Sequence, residues 1–235
     1  MKDKPFPNNP KKREEAIARQ NAIEEQRIKE IQKQQERDRQ ATNNSANEYE
    51  TGNVLYPKKL GLTEIKYKGN QLIEVELPDT YISYEYNEQG LRTKKTINNT
   101  TYFEQHTYHY DGNKLVTEIY ISDATQGCRL DYIYDENDML IGFVLDNETK
   151  YFYIRDVLQN ILGIVDELGT VVVKYNYDAF GKITSIVDES LSNIGTINPF
   201  RFKGYYYDVE TGYFCLSLKY YSSEYIRFIQ PADVS

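Results

Sequence analysis

Tryptophan is absent from this 235-residue chain, and cysteine, methionine and histidine appear only twice each. Two cysteines, Cys128 and Cys215, cannot build a dense disulfide framework, and neither lies in a CxxC metal-binding pattern. Each falls in or just after a strand-like stretch, where a buried free thiol is the usual outcome. No apolar run approaches the length of a membrane span. The opening MKDKPFPNNP has charge but not the apolar stretch that a secretory signal needs. The chain is then cytosolic, exported by another route, or a piece of a longer protein. Phosphate-binding loops and dinucleotide fingerprints are missing too. Basic charge is in short supply: 28 Lys+Arg stand against 36 Asp+Glu, a net charge of −8. Residues 1–50 are nearly balanced, with 11 basic and 10 acidic, so the remaining 17 basic and 26 acidic residues carry the whole excess. Nucleic-acid binding needs a basic footprint, which excludes DNA and RNA as main partners.

What is abundant is tyrosine, 23 residues against 9 phenylalanines. Its ring covers a pleated face while its hydroxyl stays near water, so this bias favours strands. A fold built on Tyr rather than Leu or Val has many thin, half-exposed layers instead of one thick core. The first 53 residues read differently. Residues 11–42 contain no Gly or Pro and are rich in Glu, Lys, Arg, Gln and Ala, which predicts one charged helix. Ile17, Ile28 and Ile31 share a side but Ile23 falls away from them, too thin a stripe for a coiled coil. A solvated helical arm followed by a polar linker, 43–53, is the expectation.

From there a repeat takes over. Ile65-Lys66-Tyr67-Lys68-Gly69-Asn70-Gln71-Leu72-Ile73 is echoed by Tyr108-His109-Tyr110-Asp111-Gly112-Asn113-Lys114-Leu115-Val116. Further copies begin at Tyr84-Glu85-Tyr86, Tyr132-Ile133-Tyr134 and Tyr151-Phe152-Tyr153, and the clearest is Tyr175-Asn176-Tyr177-Asp178-Ala179-Phe180-Gly181. With the second aromatic as marker, Tyr67, Tyr86, Tyr110, Tyr134, Tyr153 and Tyr177 are spaced by 19, 24, 24, 19 and 24 residues. In Tyr-x-Tyr both rings leave the same face of a strand. The Asp or Asn that follows bonds its own backbone and starts a turn, and a Gly or Asn accepts the positive φ of a tight turn. The β-branched residues after it form the returning strand. A lone hairpin is marginal in water, so successive hairpins must pair into one sheet. The expected fold is mainly β: tandem hairpins in a continuous, curved antiparallel sheet over 54–190, a partial shell. The tyrosines read as packing residues, each ring meeting a cross-strand neighbour. The alternative is an aromatic platform for cell-wall or host glycans.

Residues 191–235 carry more than another copy. Pro199, Phe200, Arg201, Gly204, Tyr206, Tyr207, Asp208, Thr211 and Gly212, then Tyr220, Tyr221, Arg227 and Phe228, fall in the order of a known motif. The stretch resembles the associated core of the Rhs (rearrangement hot spot) or YD-repeat family, and YNYDAFG (175–181) resembles that family's repeat. The resemblance covers about residues 60–235. It implies a spiralling β-shell that encloses a toxic C-terminal domain in bacterial polymorphic toxins, with the core as its plug. The partners it implies are the remaining shell or toxin segments, an immunity protein, or cell-surface glycans, and the setting is secreted or cell-surface. Many members self-cleave by an aspartyl activity at the end of the core. This chain departs from the pattern at Tyr220-Tyr221-Ser222-Ser223 and stops at Pro231-Ala232-Asp233-Val234-Ser235, so the cleavage segment is expected to be missing and no catalytic residue is carried over. Other chemistry fares poorly. His106 and His109 near Cys128 would need a nucleophile within hydrogen-bond reach of its base, yet His109 alternates to the face opposite the tyrosines. The turn carboxylates lack the dense oxygen alternation of a calcium loop. No cofactor or metal is expected, and the role is structural.

Overall fold

The computed structural model describes residues 64–69, 71–125, 127–216 and 219–229. The helix expected over 11–42 and the terminal Asp233 lie outside these residues. Twelve strands pair in sequence order as one antiparallel meander. They are β1 (Glu64–Lys68), β2 (Gln71–Leu77), β3 (Thr80–Tyr86), β4 (Arg92–Asn99), β5 (Phe103–Asp111) and β6 (Lys114–Ser122), followed by β7 (Cys128–Tyr134), β8 (Leu140–Leu145), β9 (Thr149–Arg155), β10 (Ile161–Val165), β11 (Val171–Tyr177) and β12 (Ile183–Asp188). The sheet is not closed: β1 and β12 stand at opposite ends of the strand order. A one-turn helix, α1 (Ile194–Ile197), and a 3-10 turn (Phe202–Gly204) lead into a four-stranded sheet of β13 (Tyr206–Asp208), β14 (Tyr213–Leu216), β15 (Lys219–Ser222) and β16 (Arg227–Ile229).

The repeat has a shared local grammar. In the six hairpins β1–β2 to β11–β12, the pairing skips one residue of the returning strand: Ile73, Thr93, Val116, Ile141, Leu162 and Thr184. An extra residue on one strand bends it and raises the local twist, which gives every unit the same kink. The acidic residue after the second aromatic organises the longer turns. Asp135 Oδ1 accepts the N–H groups of Asn137 and Met139, and Asp178 Oδ1 those of Phe180 and Lys182. Asp156 does the same for Leu158 and Asn160. The second tyrosine then ties its hairpin to the previous one. Tyr86, Tyr110, Tyr134 and Tyr177 donate their hydroxyls to the carbonyls of Leu72, Arg92, Leu115 and Ile161 at 2.6–2.8 Å.

The fifth copy departs from the marker spacing read in the sequence. Its turn begins at Asp156, and Arg155 Nη2, not a tyrosine, donates to the carbonyl of Leu140. Tyr153 lies two residues earlier on the same face and donates instead to Asn198 Oδ1 at 2.7 Å. The unit is therefore Tyr153-Ile154-Arg155-Asp156, with markers at 134, 155 and 177 and steps of 21 and 22. Arginine fills the place because its long side chain also reaches the neighbouring carbonyl.

One face of the sheet is apolar, and the four-stranded sheet shares its core. Ile65, Leu72, Val75, Ile82 and Ile97 pack in one cluster with Tyr213, Tyr220 and Ile229. Phe143, Ile161, Ile164, Val173 and Tyr175 pack in another with Ile194 and Tyr206. Each fully buried aliphatic or aromatic side chain contributes about 1.5–3 kcal/mol. Gly181, with φ of 91°, lies directly beneath the Phe202 ring, where a Cβ would come within 2.4 Å of Cδ1.

Candidate functional site

Between the two sheets lies a joint of buried charge. The post-turn positions that carry Leu72, Leu115, Leu140 and Ile161 in other hairpins carry Arg92 in the second. Three residues on, where others carry Val75, Phe143 and Ile164, the second hairpin has Lys95 and the third Glu118. These three charges point inward, each only 3–4% exposed. They are met by Asp208, which is fully buried on β13, and by Glu210 in the turn that follows.

Arg92 Nη1 donates to Asp208 Oδ2 at 2.6 Å, while Lys95 Nζ reaches Asp208 Oδ1 at 3.2 Å and Glu210 Oε2 at 3.1 Å. The Arg92 guanidinium also sits over the rings of Tyr108 and Tyr206, 4.8 and 4.7 Å from their centres. Burial by itself would lower the Arg92 pKa, but the Asp208 carboxylate, with Tyr108, Cys215 and Tyr220 adding to it, holds the group above its ordinary value. Glu118 accepts from Tyr132 at 2.7 Å, from Tyr206 at 2.6 Å and from His106 Nδ1 at 2.7 Å. Burial would raise its pKa; the hydrogen bond from His106 and those from the two tyrosines keep it below the usual carboxylate value. Removing one partner from such a cluster strands the other in a dry interior.

A second contact lies further along the sheet. Asn198, fully buried, accepts from Tyr153 and donates to the Tyr175 hydroxyl at 3.2 Å and to the Phe200 carbonyl at 2.6 Å. Arg201 donates to the carbonyls of Asn198, Gly195 and Thr196 and lies over the rings of Tyr175 and Tyr207. Other motif residues shape the chain. The Pro199 carbonyl accepts the Tyr207 N–H, Gly212 N–H returns to the Asp208 carbonyl at φ 69°, and the Thr211 hydroxyl caps the same turn. Gly204 runs beside Arg155, Tyr220 meets Tyr86 hydroxyl to hydroxyl at 2.9 Å, and Tyr221 donates to the Phe180 carbonyl. Arg227 and Phe228 lie on β16 and are exposed.

The repeat tyrosines thus point into the joint. Tyr84, Tyr108, Tyr132 and Tyr175 are buried against Tyr220, Tyr206, Phe200 and Arg201 of the C-terminal segment, so the rings do not form an open platform. His109 is exposed on the opposite face, as its alternation implies, while His106 is engaged with Glu118. The residues that sequence reasoning missed are Arg92, Lys95, Glu104 and Glu118. For Arg92, Lys95 and Glu118 the signal was a charge at the inward position of a repeat that elsewhere holds an aliphatic or aromatic side chain.

The sequence model of the teneurin YD-shell family matches residues 16–234. The chain belongs to that family. Among curated relatives, the tRNA3(Ser)-specific nuclease WapA of Bacillus spizizenii is 34% identical over 142 residues, and the tRNA nuclease WapA of Bacillus subtilis is 36% identical over 143. Each match takes in 60% of this chain but only 6% of the relative. A crystal structure of TcdB2-TccC3-Cdc42 superposes with a TM-score of 0.61 over 72% of this chain and 9% of the other, at 15% identity. A Photorhabdus luminescens Tc holotoxin pore with a substituted TccC3 gives 0.63 over 78% of this chain and 9% of the other, at 14% identity. The fold is that of an Rhs-type YD shell, and this chain is a structural segment of one. No helix among the described residues is long and apolar enough to cross a membrane.

Proposed function

We propose that this chain is the closing segment of a polymorphic-toxin container: residues 54–190 supply the last stretch of wall and residues 191–235 the plug. The observation that carries the reading is the Arg92–Lys95–Asp208–Glu210 cluster, which joins wall to plug with buried charges paired across the joint. A hydrolytic site keeps a nucleophile beside a base in reach of substrate. Here the inward carboxylates accept from arginine, lysine, histidine and tyrosine, which supports a holding role over a catalytic one. The ends of the strand order, β1 and β12, offer edges for further shell strands of the same system. A cargo in the nuclease class is the proposal that the WapA relatives suggest, with delivery outside the producing cell and an immunity protein as its counterpart.

The test is to express the chain together with the shell and toxin segments encoded beside it and to digest the assembly with a non-specific protease. The toxin segment should survive in the parent assembly and be cut in one carrying Asp208→Ala. Equal digestion of the toxin in both would rule out this wall-and-plug role.

A further inference from the structure

We propose that Glu104, His106 and Glu210 bind a divalent transition-metal ion, zinc by donor type, as a clip between the wall and the plug. Glu104 and His106 project from the same face of β5, and Glu210 comes from the turn after β13 on the opposing sheet. One ligand atom from each lies within 4.8 Å of the other two.

The histidine is prepared for the task. Its Nδ1 lies 2.7 Å from Glu118 Oε1, and Glu118 already accepts from Tyr132 and Tyr206, as a carboxylate does. Nδ1 therefore donates to Glu118, which leaves Nε2 as the ring atom available to a metal. That atom is buried without a hydrogen-bond partner. A buried polar atom left unsatisfied is costly, and a bound cation satisfies it. Carboxylate to Nδ1–H with a metal on Nε2 is the usual orientation of a ligating histidine. Glu104 is steadied in the same way, accepting from the Tyr120 hydroxyl at 3.1 Å.

One imidazole with two carboxylates suits zinc and its neighbours rather than calcium or magnesium, which prefer oxygen alone. His106 and Glu210 keep 15% and 9% of their side chains exposed, which gives the ion a way in. Ligands of a tetrahedral zinc lie about 2.0 Å from the metal, so loading would draw the carboxylates inward and tighten the plug on the wall.

The experiment titrates the chelator-treated full chain with zinc chloride, followed by calorimetry and thermal melting. One zinc per chain should bind and raise the melting temperature, with magnesium at the same concentration giving no shift. His106→Ala and Glu210→Gln should each weaken binding at least tenfold, while His109→Ala, on the other face, leaves it unchanged. X-ray absorption of the zinc-loaded parent chain needs no variant, so it decides even where a variant fails to fold. It should show nitrogen and oxygen neighbours at about 2.0 Å with scattering from one imidazole; sulfur at about 2.3 Å would place the ion on a cysteine instead. That result, unchanged binding in His106→Ala, loss of binding in His109→Ala, or no binding at all would each overturn the proposal.

Discussion

The twelve-stranded sheet, the proposed wall, and the four-stranded sheet, the proposed plug, are both antiparallel, yet they are held by different kinds of interaction. In the wall the same few contacts recur: a skipped residue in each returning strand, a carboxylate folding its own turn, a tyrosine hydroxyl on the carbonyl of the previous hairpin. Each contact reaches only a neighbour, so the wall behaves as a one-dimensional array in which any unit resembles the next. The plug has no period. It is fixed by single contacts that span long stretches of sequence, such as Arg92 to Asp208 and Tyr153 to Asn198. Strength that is distributed tolerates a local loss, whereas strength concentrated in one buried charge cluster does not.

Alkali should break both regions at once and give the largest effect. Burial pushes the hydroxyls of Tyr110, Tyr134 and Tyr175 up to about 12, from an ordinary value of 10.0. A raised folded pKa means that the folded state holds its protons longer, so the stabilisation is complete below pH 10 and is lost as pH climbs toward 12. Circular dichroism and tyrosinate absorbance should change together in that window; tyrosinate formation well below it, with the sheet intact, would contradict the packing described.

Substitutions separate the two regions. Asp208→Ala leaves Arg92 and Lys95 buried without that carboxylate and should cost about 3–5 kcal/mol in denaturant unfolding. Gly181→Ala places a methyl group against the Phe202 ring of the plug and should cost about 2–4 kcal/mol. The same change at Gly112, whose φ is 58° and whose Cβ position is open, should cost about 1 kcal/mol. Equal losses at the two glycines would show that the plug does not press on the wall there. Hydroxyl removal gives a further comparison: Tyr206→Phe removes a donor to Glu118 and should cost about 1.5–3 kcal/mol, against about 1 kcal/mol for Tyr134→Phe, whose partner is a neutral carbonyl.

Much of the wall was legible because its rules are local. Tyr-x-Tyr fixes a face, Asp178 fixes a turn, and the β-branched residues after it fix the return. The fifth unit was misphased because Tyr151-Phe152-Tyr153 matches the aromatic pattern better than Tyr153-Ile154-Arg155 does, while the turn after Asp156 shows where the unit ends. The motif residues of the plug could be named from resemblance, but not their partners, since nothing near Asp208 in sequence points to Arg92. The joint had one sequence signal, the charges at 92, 95 and 118 in positions that repeat neighbours fill with apolar side chains. It emerges only once the hairpins are aligned on their bulges rather than on their tyrosines.

A double-mutant cycle on Arg92→Met and Asp208→Ala tests most directly whether the plug docks through this pair. If the two residues meet in a dry interior, the double variant will be less destabilised than the sum of the singles, by about 2–3 kcal/mol in denaturant unfolding. Losses that add within about 0.5 kcal/mol would mean that wall and plug are not joined there.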